Sequence, residues 1–533
     1  MNISSNIRKL TLFFIAFFIA ASGGFVYWQV VVAQQVSSNI HNGRSCANAP
    51  FRGTIYDRNG VRLAYSVPSK SGCGYTRVYT DPSLAGLIGY YVNPLYSSTG
   101  IEHQYDSYLT GKVGLTQIDN LMNNTLHRPP VGDDIYLTID ERIQKIANQH
   151  FDDPITIDNT LTFPTNRGSV VVTDPHTGAI LAMVSRPGYD PNKLVKTLAN
   201  SDLSYYNQLN NDKGTPLLER PIQSTYIPGS IYKTMTLMAG LDSGKTTLNQ
   251  PFNMQQAHGP LRINGQEITG SNLDPFTFHY PVSTEYGYSH SDNLIYAQIG
   301  VNTGQQTWLD YNKKFYVGQQ IPFDLPVAKS EVLLNNQPLP ANQLASDAFG
   351  QGYDTITPLQ MSLIDNASAD NGQLMRPMLI SKVTDTHKNV LKSYTPTSLS
   401  NPISQDTATQ VRRAMYGVTQ CGSGSIVPDF HNSPWSIIGK TGTGQVGSSQ
   451  YVGANSWMIT QAPYSVDNPN QLPALSIVAM KENGGDGGPT VGPMIAHMYN
   501  DIFAQHLVPA TLPPAPSPTY CCNEKLLQQG PGC

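Results

Sequence analysis

The sequence has few charged residues and no excess of positive charge. Only 13% of its 533 residues are Asp, Glu, Lys or Arg, about half the share found in an ordinary globular protein. The 37 acidic residues slightly outnumber the 33 basic ones, so the net charge is −4. Without a basic excess to neutralise phosphates, nucleic-acid binding is disfavoured. Hydrophobic residues make up 39% of the chain, which indicates a folded protein rather than a charge-driven disordered one.

The sequence also lacks the usual patterns of metal and phosphate sites. No cysteine pair has the Cys-x-x-Cys spacing, and no group of histidines has the spacing typical of zinc ligands. The glycine-rich stretch Gly484–Gly488 is not followed by the Lys-Ser/Thr pair of a phosphate-binding loop. The sequence therefore predicts no metal and no cofactor.

Only one long hydrophobic run is present. The 23 residues from Leu10 to Val32 carry no charge, and as a helix of about 34 Å they exceed the ~30 Å hydrocarbon core of a membrane. Arg8 and Lys9 precede this run, which predicts a cytoplasmic N-terminus and an exported remainder. The small residues at 20–24 also fit a cleaved signal peptide. Because the apolar run continues to Val32, we favour an uncleaved, single-pass anchor in the cell membrane.

Export permits disulfides between the six cysteines, Cys46, Cys73, Cys421, Cys521, Cys522 and Cys533. Cys46 and Cys73 belong to one region, and the tail cysteines are candidates to fasten the C-terminus to Cys421. Free or intermolecular cysteines are the alternative.

The remaining pattern predicts an α+β protein with four parts. They are a cytoplasmic stub and transmembrane anchor (1–33), a region of short strands and turns (34–165), a larger domain (166–507) and a Pro-rich, Cys-containing tail (508–533). Hydrophobic spacing predicts a helix at Asp140–Phe151 and another around Pro493–Phe503. Predicted strands are a hairpin at Ser169–Thr173 and Ala179–Ser185, then Ser456–Gln461 and Leu475–Met480. Strands on both sides of a helical middle favour an antiparallel sheet flanked by helices.

The first candidate catalytic motif is Ser230-Ile231-Tyr232-Lys233, after Pro228-Gly229. In a helix that begins at Ser230, positions i and i+3 share a face, so the Lys233 amine lies beside the Ser230 hydroxyl. A partly desolvated lysine can be neutral enough to accept the serine's proton. Alone, Ser-x-x-Lys is more often an ordinary solvated helix face.

The second motif is Ser291-Asp292-Asn293, 61 residues downstream. The Ser291 hydroxyl can relay a proton from Lys233 to a leaving amine, and the Asn293 amide can orient a peptide bond. In isolation, a helix-capping turn is the simpler explanation.

The third motif is Lys440-Thr441-Gly442-Thr443. On a strand edge, Lys440, Thr441 and Thr443 can hold a substrate carboxylate, and Gly442 permits close approach of a substrate backbone. The backbone N–H groups of Thr443 and Ser230 can form an oxyanion hole. Each motif alone is a weak indication of a catalytic site, but the three together, in this order on an exported domain, are a specific one.

With these motifs the chain resembles the class B, monofunctional penicillin-binding proteins, of the PbpA and FtsI type. Four further segments carry the resemblance: Arg52–Ala64 (RGTIYDRNGVRLA), Gly89 to Glu102 (GYY…TGIE), Leu137–Ala147 (LTIDERIQKIA) and Phe349–Leu363 (FGQGYDTITPLQMSL). The resemblance implies that residues 34–165 form a pedestal, or dimerisation-type, domain. It also implies that residues 166–507 form a β-lactamase-like transpeptidase domain.

The resemblance implies a peptidoglycan D,D-transpeptidase that β-lactams inhibit. Ser230 is the implied nucleophile, Lys233 its base, Ser291 the proton shuttle and Asn293 a substrate-aligning residue. Lys440, Thr441, Gly442 and Thr443 are implied to bind the substrate. The implied partners are D-Ala-D-Ala stem peptides, β-lactams, the membrane and a SEDS-family glycosyltransferase.

Two alternatives remain open. The pattern Glu331-Val332-Leu333-Leu334-Asn335 resembles the Glu-x-x-Leu-Asn motif of class A β-lactamases, in which the glutamate activates the hydrolytic water. The simpler interpretation places Glu331 on a surface loop. A non-catalytic β-lactam sensor or scaffold is the second alternative. The motifs also do not distinguish a transpeptidase from a carboxypeptidase.

Overall fold

A computed structural model describes most of the chain. The described residues are 11, 13–18, 20–22, 24 and 27, then 51–69, 74–92, 98–125, 129–153, 166–268, 270, 273, 280–333, 337–446 and 453–513. Within these ranges, no helix is both long and apolar enough to cross a membrane. Much of the predicted anchor lies outside the described residues, so the anchor stays a prediction.

Seventeen strands are found in the described part of the chain. They are β1 (Ile55–Tyr56), β2 (Arg62–Pro68), β3 (Tyr75–Tyr79), β4 (Asp134–Leu137), β5 (Gly168–Thr173), β6 (Ile180–Arg186), β7 (Pro251–Phe252), β8 (Leu261–Ile263), β9 (Gln266–Ile268), β10 (Val282–Ser283), β11 (Leu374–Met375), β12 (Ile380–Thr384), β13 (Val390–Ser393), β14 (Ser398–Ser400), β15 (Ile438–Gly444), β16 (Asn455–Ala462) and β17 (Leu475–Lys481).

The α-helices with assigned bounds are α1 (Ala85–Ile88), α2 (Gly100–Gln104), α3 (Asp106–Leu109), α4 (Gly114–Thr125), α5 (Glu141–His150), α6 (Pro191–Ala199), α7 (Ser204–Asn210), α8 (Arg220–Gln223), α9 (Lys233–Asp242), α10 (Met254–Ala257), α11 (Thr284–Ser289), α12 (Asn293–Thr303), α13 (Gln305–Lys314), α14 (Ala341–Asp347), α15 (Pro358–Ala369), α16 (Gln405–Gln420), α17 (Pro428–Asn432) and α18 (Gly487–Ala504). Two 3-10 turns, Pro82–Leu84 and Gly229–Tyr232, precede α1 and α9.

The larger domain is built on a central antiparallel sheet with the strand order β15-β16-β17-β5-β6. Every residue of β16 and β17 is buried, as expected for strands covered by helices on both faces. One face packs with Ile231 and helix α9 in a common apolar core. The other face packs under α5 and α18. The predicted hairpin and the two predicted late strands are confirmed within one residue at each end.

The second sheet has the strand order β13-β12-β4-β1-β2-β3. Strand β12 pairs antiparallel with β4, so residues far downstream complete the sheet of the pedestal region. Buried Glu102 joins two segments here, because it accepts hydrogen bonds from Arg52 Nε at 2.5 Å and Arg77 Nε at 2.6 Å. Burial raises the pKa of Glu102, but the two arginines outweigh this and lower it overall, which keeps the carboxylate charged.

One predicted helix is confirmed, the pedestal region holds helices that were not predicted, and one predicted helix starts earlier than expected. The helix predicted at Asp140–Phe151 is confirmed as α5, with Asp140 capping the Arg142 N–H. The pedestal region was predicted as strands and turns, yet it also holds α2, α3 and α4 between residues 100 and 125. Helix α18 begins at Gly487, six residues before its predicted start, and contains Pro493.

Of the six cysteines, only Cys421 is among the described residues. Cys421, directly after α16, is disulfide-bonded. The other five cysteines, and residues 514–533 of the predicted tail, lie outside the described residues. A disulfide at Cys421 is thus confirmed, and its pairing stays a prediction.

Candidate active site

The first motif lies where a 3-10 turn passes into helix α9. Gly229 starts the turn with a φ of 60°, a conformation that glycine adopts without steric cost. Its N–H donates to the carbonyl of Gly350 at 2.9 Å. Ser230 therefore follows a fixed turn, and the helix continues from Lys233.

Lys233 is the centre of the hydrogen-bond network. Its side chain is fully buried, and Nζ lies 2.7 Å from Oγ of Ser230. Nζ also lies 2.6 Å from Oδ1 of Asn293 and 2.8 Å from the carbonyl oxygen of Ser291. The predicted neighbourhood of the serine hydroxyl and the lysine amine is present.

The Ser291 hydroxyl lies between two lysines. Lys440 Nζ donates to Ser291 Oγ at 2.8 Å, and Lys233 Nζ lies 3.2 Å from the same oxygen. Ser291 has a φ of 61°, which is uncommon for a residue with a side chain. Asp292 then caps helix α12 by accepting from the Ile295 N–H. The second motif is therefore both a helix cap and part of the site.

Burial changes the protonation of both lysines. It lowers the pKa of Lys233 to about 7, against the opposing charge of Asp292. Burial, together with the charge of Lys233, lowers the pKa of Lys440 well below its ordinary value, while Asp486 acts in the opposite direction. Two ammonium groups near one hydroxyl repel each other, so a neutral amine is available close to neutral pH.

The third motif occupies β15, an edge strand of the central sheet, as predicted. A Cβ on Gly442 would meet the backbone nitrogen of Ile231 at 2.9 Å and the Ile231 side chain at 2.8 Å. The strand can therefore pass this close to the Ser230 turn only because residue 442 is glycine.

A cleft of about 660 Å³ opens over these elements. Its lining includes six of the predicted site residues, Ser230, Ser291, Asn293, Thr441, Gly442 and Thr443. The other two, Lys233 and Lys440, lie beneath the lining and contact Ser230 and Ser291. All eight predicted residues are thus brought together.

Three further residues support the threonines of β15. Ser423 Oγ lies 2.7 Å from Thr441 Oγ1, and Thr443 Oγ1 donates to Asp486 at 3.2 Å. Gln351 Nε2 donates to the Thr443 carbonyl at 2.7 Å. Gln351 belongs to the Gly-Gln-Gly stretch of the sequence, and Asp486 lies within the glycine-rich stretch Gly484–Gly488, whereas Ser423 belongs to no sequence motif.

Glu331 lies outside this cleft. It forms a β-bridge with Thr355, its side chain is 51% exposed, and its carboxylate lies 3.5 Å from Lys329 Nζ. It lines a separate, smaller pocket that shares no residue with the cleft. The structure therefore does not place Glu331 where it could activate water against an ester on Ser230.

His290 directly precedes the second motif and is partly buried beside it. It lines the cleft, but its ring stacks on Tyr286 with centroids 4.0 Å apart. Burial lowers the pKa of His290 to about 4, so the ring stays neutral near pH 7.

Comparison with known proteins gives two matches to family profiles. The profile described as "Penicillin binding protein transpeptidase domain" matches residues 168–499. A second profile, "Penicillin binding protein A dimerisation domain", matches residues 52–135. The chain belongs to the penicillin-binding proteins, and the predicted class B resemblance is confirmed.

Named relatives and solved structures agree with this assignment. The chain is 30% identical over 516 residues to "Peptidoglycan D,D-transpeptidase MrdA" of Salmonella typhimurium, covering 89% of this chain and 78% of that one. It is 29% identical over 432 residues to "Peptidoglycan D,D-transpeptidase PbpA" of Mycolicibacterium smegmatis, covering 80% and 83%. The imipenem acyl-enzyme of penicillin-binding protein A from M. tuberculosis superposes with a TM-score of 0.74 at 26% identity, covering 85% and 99%.

Proposed function

We propose that this protein is a serine D,D-transpeptidase that cross-links the stem peptides of peptidoglycan and is acylated by β-lactams. The observation that carries the proposal is the 2.7 Å contact between Ser230 Oγ and Lys233 Nζ, inside a cleft that β15 borders. Relatives named peptidoglycan D,D-transpeptidases and a superposable β-lactam acyl-enzyme support the same reaction.

In the acylation step, Ser230 Oγ attacks the carbonyl carbon of the D-Ala-D-Ala bond. The hydroxyl proton passes to the neutral amine of Lys233, which burial makes available near pH 7. The carbon–nitrogen bond then breaks, and the departing D-Ala amine takes a proton through the Ser291 hydroxyl. Ser291 suits this role because both lysines contact its oxygen.

In the second step, an amine of a neighbouring stem peptide attacks the ester on Ser230. The amine loses a proton to the same network, an amide bond forms, and the serine hydroxyl is restored. A β-lactam enters the same first step, but its ring-opened acyl group stays attached to Ser230.

The substrate carboxylate is assigned to β15. Thr441 and Thr443 line the cleft and are held by Ser423 and Asp486, while the buried Lys440 lies beneath them and donates a hydrogen bond to Ser291. A terminal carboxylate bound at this edge places the D-Ala-D-Ala bond against Ser230. Asn293, which contacts Lys233, is assigned to align the peptide.

The place of action is the outer side of the cell membrane. The uncharged run from Leu10 to Val32, after Arg8 and Lys9, supports a single-pass anchor with a cytoplasmic N-terminus. A membrane glycosyltransferase of the SEDS family, which would supply glycan strands, is the corresponding partner proposal. Protease added outside spheroplasts should digest the domain that penicillin labels and leave a tag at the N-terminus intact.

The reaction is tested with pentapeptide-bearing glycan strands and the full chain in detergent. The expected result is release of D-Ala together with cross-linked peptide dimers, both absent with Ser230→Ala. Release of D-Ala without dimers would contradict transpeptidation and show that the protein is a carboxypeptidase that uses the same serine.

A further inference from the structure

Two histidines and three aspartates meet on the sheet face opposite helix α9. His150 ends helix α5, Asp153 follows it, and His497 lies on helix α18. Asp429 on helix α17 and Asp501 on helix α18 complete the group. These helices pack together on the face of the central sheet that points away from the Ser230 helix. The cluster therefore belongs to neither the cleft nor the proposed reaction.

Both histidines direct the same ring nitrogen to one carboxylate oxygen. Asp153 Oδ2 lies 2.9 Å from Nδ1 of His150 and 2.8 Å from Nδ1 of His497. One ligand atom from each of the three residues lies within 4.8 Å of the other two. Two imidazoles and a carboxylate thus converge on a single point.

The second nitrogen of each histidine faces a different carboxylate. Nε2 of His150 lies 2.9 Å from Asp501, and Nε2 of His497 lies 3.4 Å from Asp429. A histidine that binds a metal usually donates its other N–H to a carboxylate or carbonyl, which fixes its tautomer and ring orientation. Both histidines have such a carboxylate here, Asp501 for His150 and Asp429 for His497.

The charge balance also favours a cation. With neutral imidazoles, Asp153, Asp429 and Asp501 bring three negative charges to the cluster. Burial lowers the pKa of Lys481, on strand β17, to about 8, so near pH 7 its positive charge still offsets one of these three negative charges. The neighbouring Arg186 is paired with Asp152. Burial lowers the pKa of His497, but Asp153 and Asp429 outweigh burial and raise it overall, so a proton competes for the same position.

We propose that His150, Asp153 and His497 bind a divalent transition metal of the zinc class, with Asp501 and Asp429 orienting the two histidines. Imidazole nitrogen favours zinc-class ions over Ca²⁺ and Mg²⁺, which prefer sites made of oxygen ligands. Zinc takes nitrogen and oxygen ligands at about 2.0–2.2 Å in a tetrahedron. The distances from Asp153 Oδ2 to the two histidine nitrogens, 2.9 and 2.8 Å, need to lengthen by about 0.5 Å to match the edges of such a tetrahedron. Three protein ligands leave the fourth position for water.

The metal joins a helix that precedes the central sheet to a helix that follows it. Helix α5 leads into the first strand of the central sheet, and helix α18 follows the last one. Asp153 and His497 are 344 residues apart in the chain, so no local spacing marks them. This separation is why the sequence predicted no metal.

The test is zinc binding to the metal-free full chain in detergent, purified without a histidine tag. Equilibrium dialysis with Zn²⁺ and the visible spectrum with Co²⁺ measure stoichiometry and coordination. The variants are His497→Gln, Asp153→Asn and Asp501→Asn, and the two Asp→Asn changes keep the shape of the side chain. The matched control is His176→Gln, because His176 pairs with one carboxylate, Asp370, at 2.7 Å. Fluorescent penicillin labelling shows that each variant is folded.

The expected result is one zinc per chain, a four-coordinate Co²⁺ spectrum and a higher thermal unfolding temperature with zinc. His497→Gln and Asp153→Asn should each weaken zinc binding at least about 100-fold, Asp501→Asn about 10-fold, and His176→Gln not at all. Zinc affinity should fall as the pH is lowered, because protons compete with the metal for the ligand atoms. Zinc binding that His497→Gln leaves unchanged would overturn the proposal. An unfolding temperature that responds to pH but not to zinc would also overturn it, because protons alone would then hold the cluster together.

Discussion

The side-chain nitrogen of Lys233 lies 2.7 Å from the hydroxyl oxygen of Ser230, across one turn at the start of helix α9. The contact follows from the i and i+3 spacing of the two residues. The pair becomes reactive because Lys233 is buried. Its ammonium form loses hydration there, and this lowers the pKa of the amine. The same burial that packs the helix therefore prepares the base.

Acylation should depend on pH through Lys233. Because its pKa is lowered to about 7, the neutral amine is the minor form below pH 7 and the major form above it. The rate of labelling by a fluorescent penicillin should rise about eightfold from pH 5.5 to 6.5 and level off above pH 8. A rate that is flat from pH 5.5 to 8 would show that Lys233 is not the base.

The variant Asp292→Asn should move this profile to lower pH. Asp292 is the charge that raises the pKa of Lys233 against burial, so its neutral isostere removes that opposition. Asparagine is also a good N-cap, so helix α12 should keep its start. The measurement is the midpoint of the labelling profile. A shift to higher pH would contradict the assigned electrostatics.

The variant Gly442→Ala should reduce acylation more than stability. A methyl group at this position meets Ile231 backbone and side-chain atoms at 2.9 and 2.8 Å, so β15 must move away from the Ser230 turn. We expect penicillin labelling to slow by at least about tenfold, the effect of roughly 1.4 kcal/mol in the barrier.

Gly188→Ala is the matched control for Gly442→Ala. A Cβ at Gly188 meets no atom closer than 3.8 Å, so labelling should be unchanged. Equal labelling rates for Gly442→Ala and the wild type would show that the close approach of β15 is not needed.

The variant Glu331→Gln should leave the lifetime of the acyl-enzyme unchanged. Glu331 is half exposed and lines a different pocket from Ser230, so it has no water to activate at the ester. The measurement is the loss of label after excess free penicillin is removed. A markedly longer lifetime would favour the β-lactamase hypothesis.

Local sequence patterns predicted four strands of the central sheet and the three motifs of the site. Alternating and continuous apolar runs identified β5, β6, β16 and β17, because these strands are bounded by turn residues. The Ser230, Ser291 and Lys440 motifs were visible because each is short and contiguous. Their meeting in one cleft was implied only by the family resemblance, since no local pattern fixes a distance between residues 230 and 440.

Long-range packing explains what the sequence did not predict. Strand β12 joins the pedestal sheet through pairing with β4, which no local pattern encodes. Helix α18 starts with Gly487 and Gly488, which are poor helix formers. A Cβ at Gly487 would meet the Gly442 carbonyl at 2.2 Å, so contact with β15 requires glycine at the helix start. The same contact places Asp486 beside Thr443.

The most direct test of the account is the site and lifetime of penicillin labelling. The full chain in detergent is incubated with a fluorescent penicillin beside Ser230→Ala, the labelled peptide is mapped, and the label is followed over time. The account predicts stable label on the peptide that contains Ser230, and none on the variant. Label on another residue, or label that is lost within seconds, would contradict it.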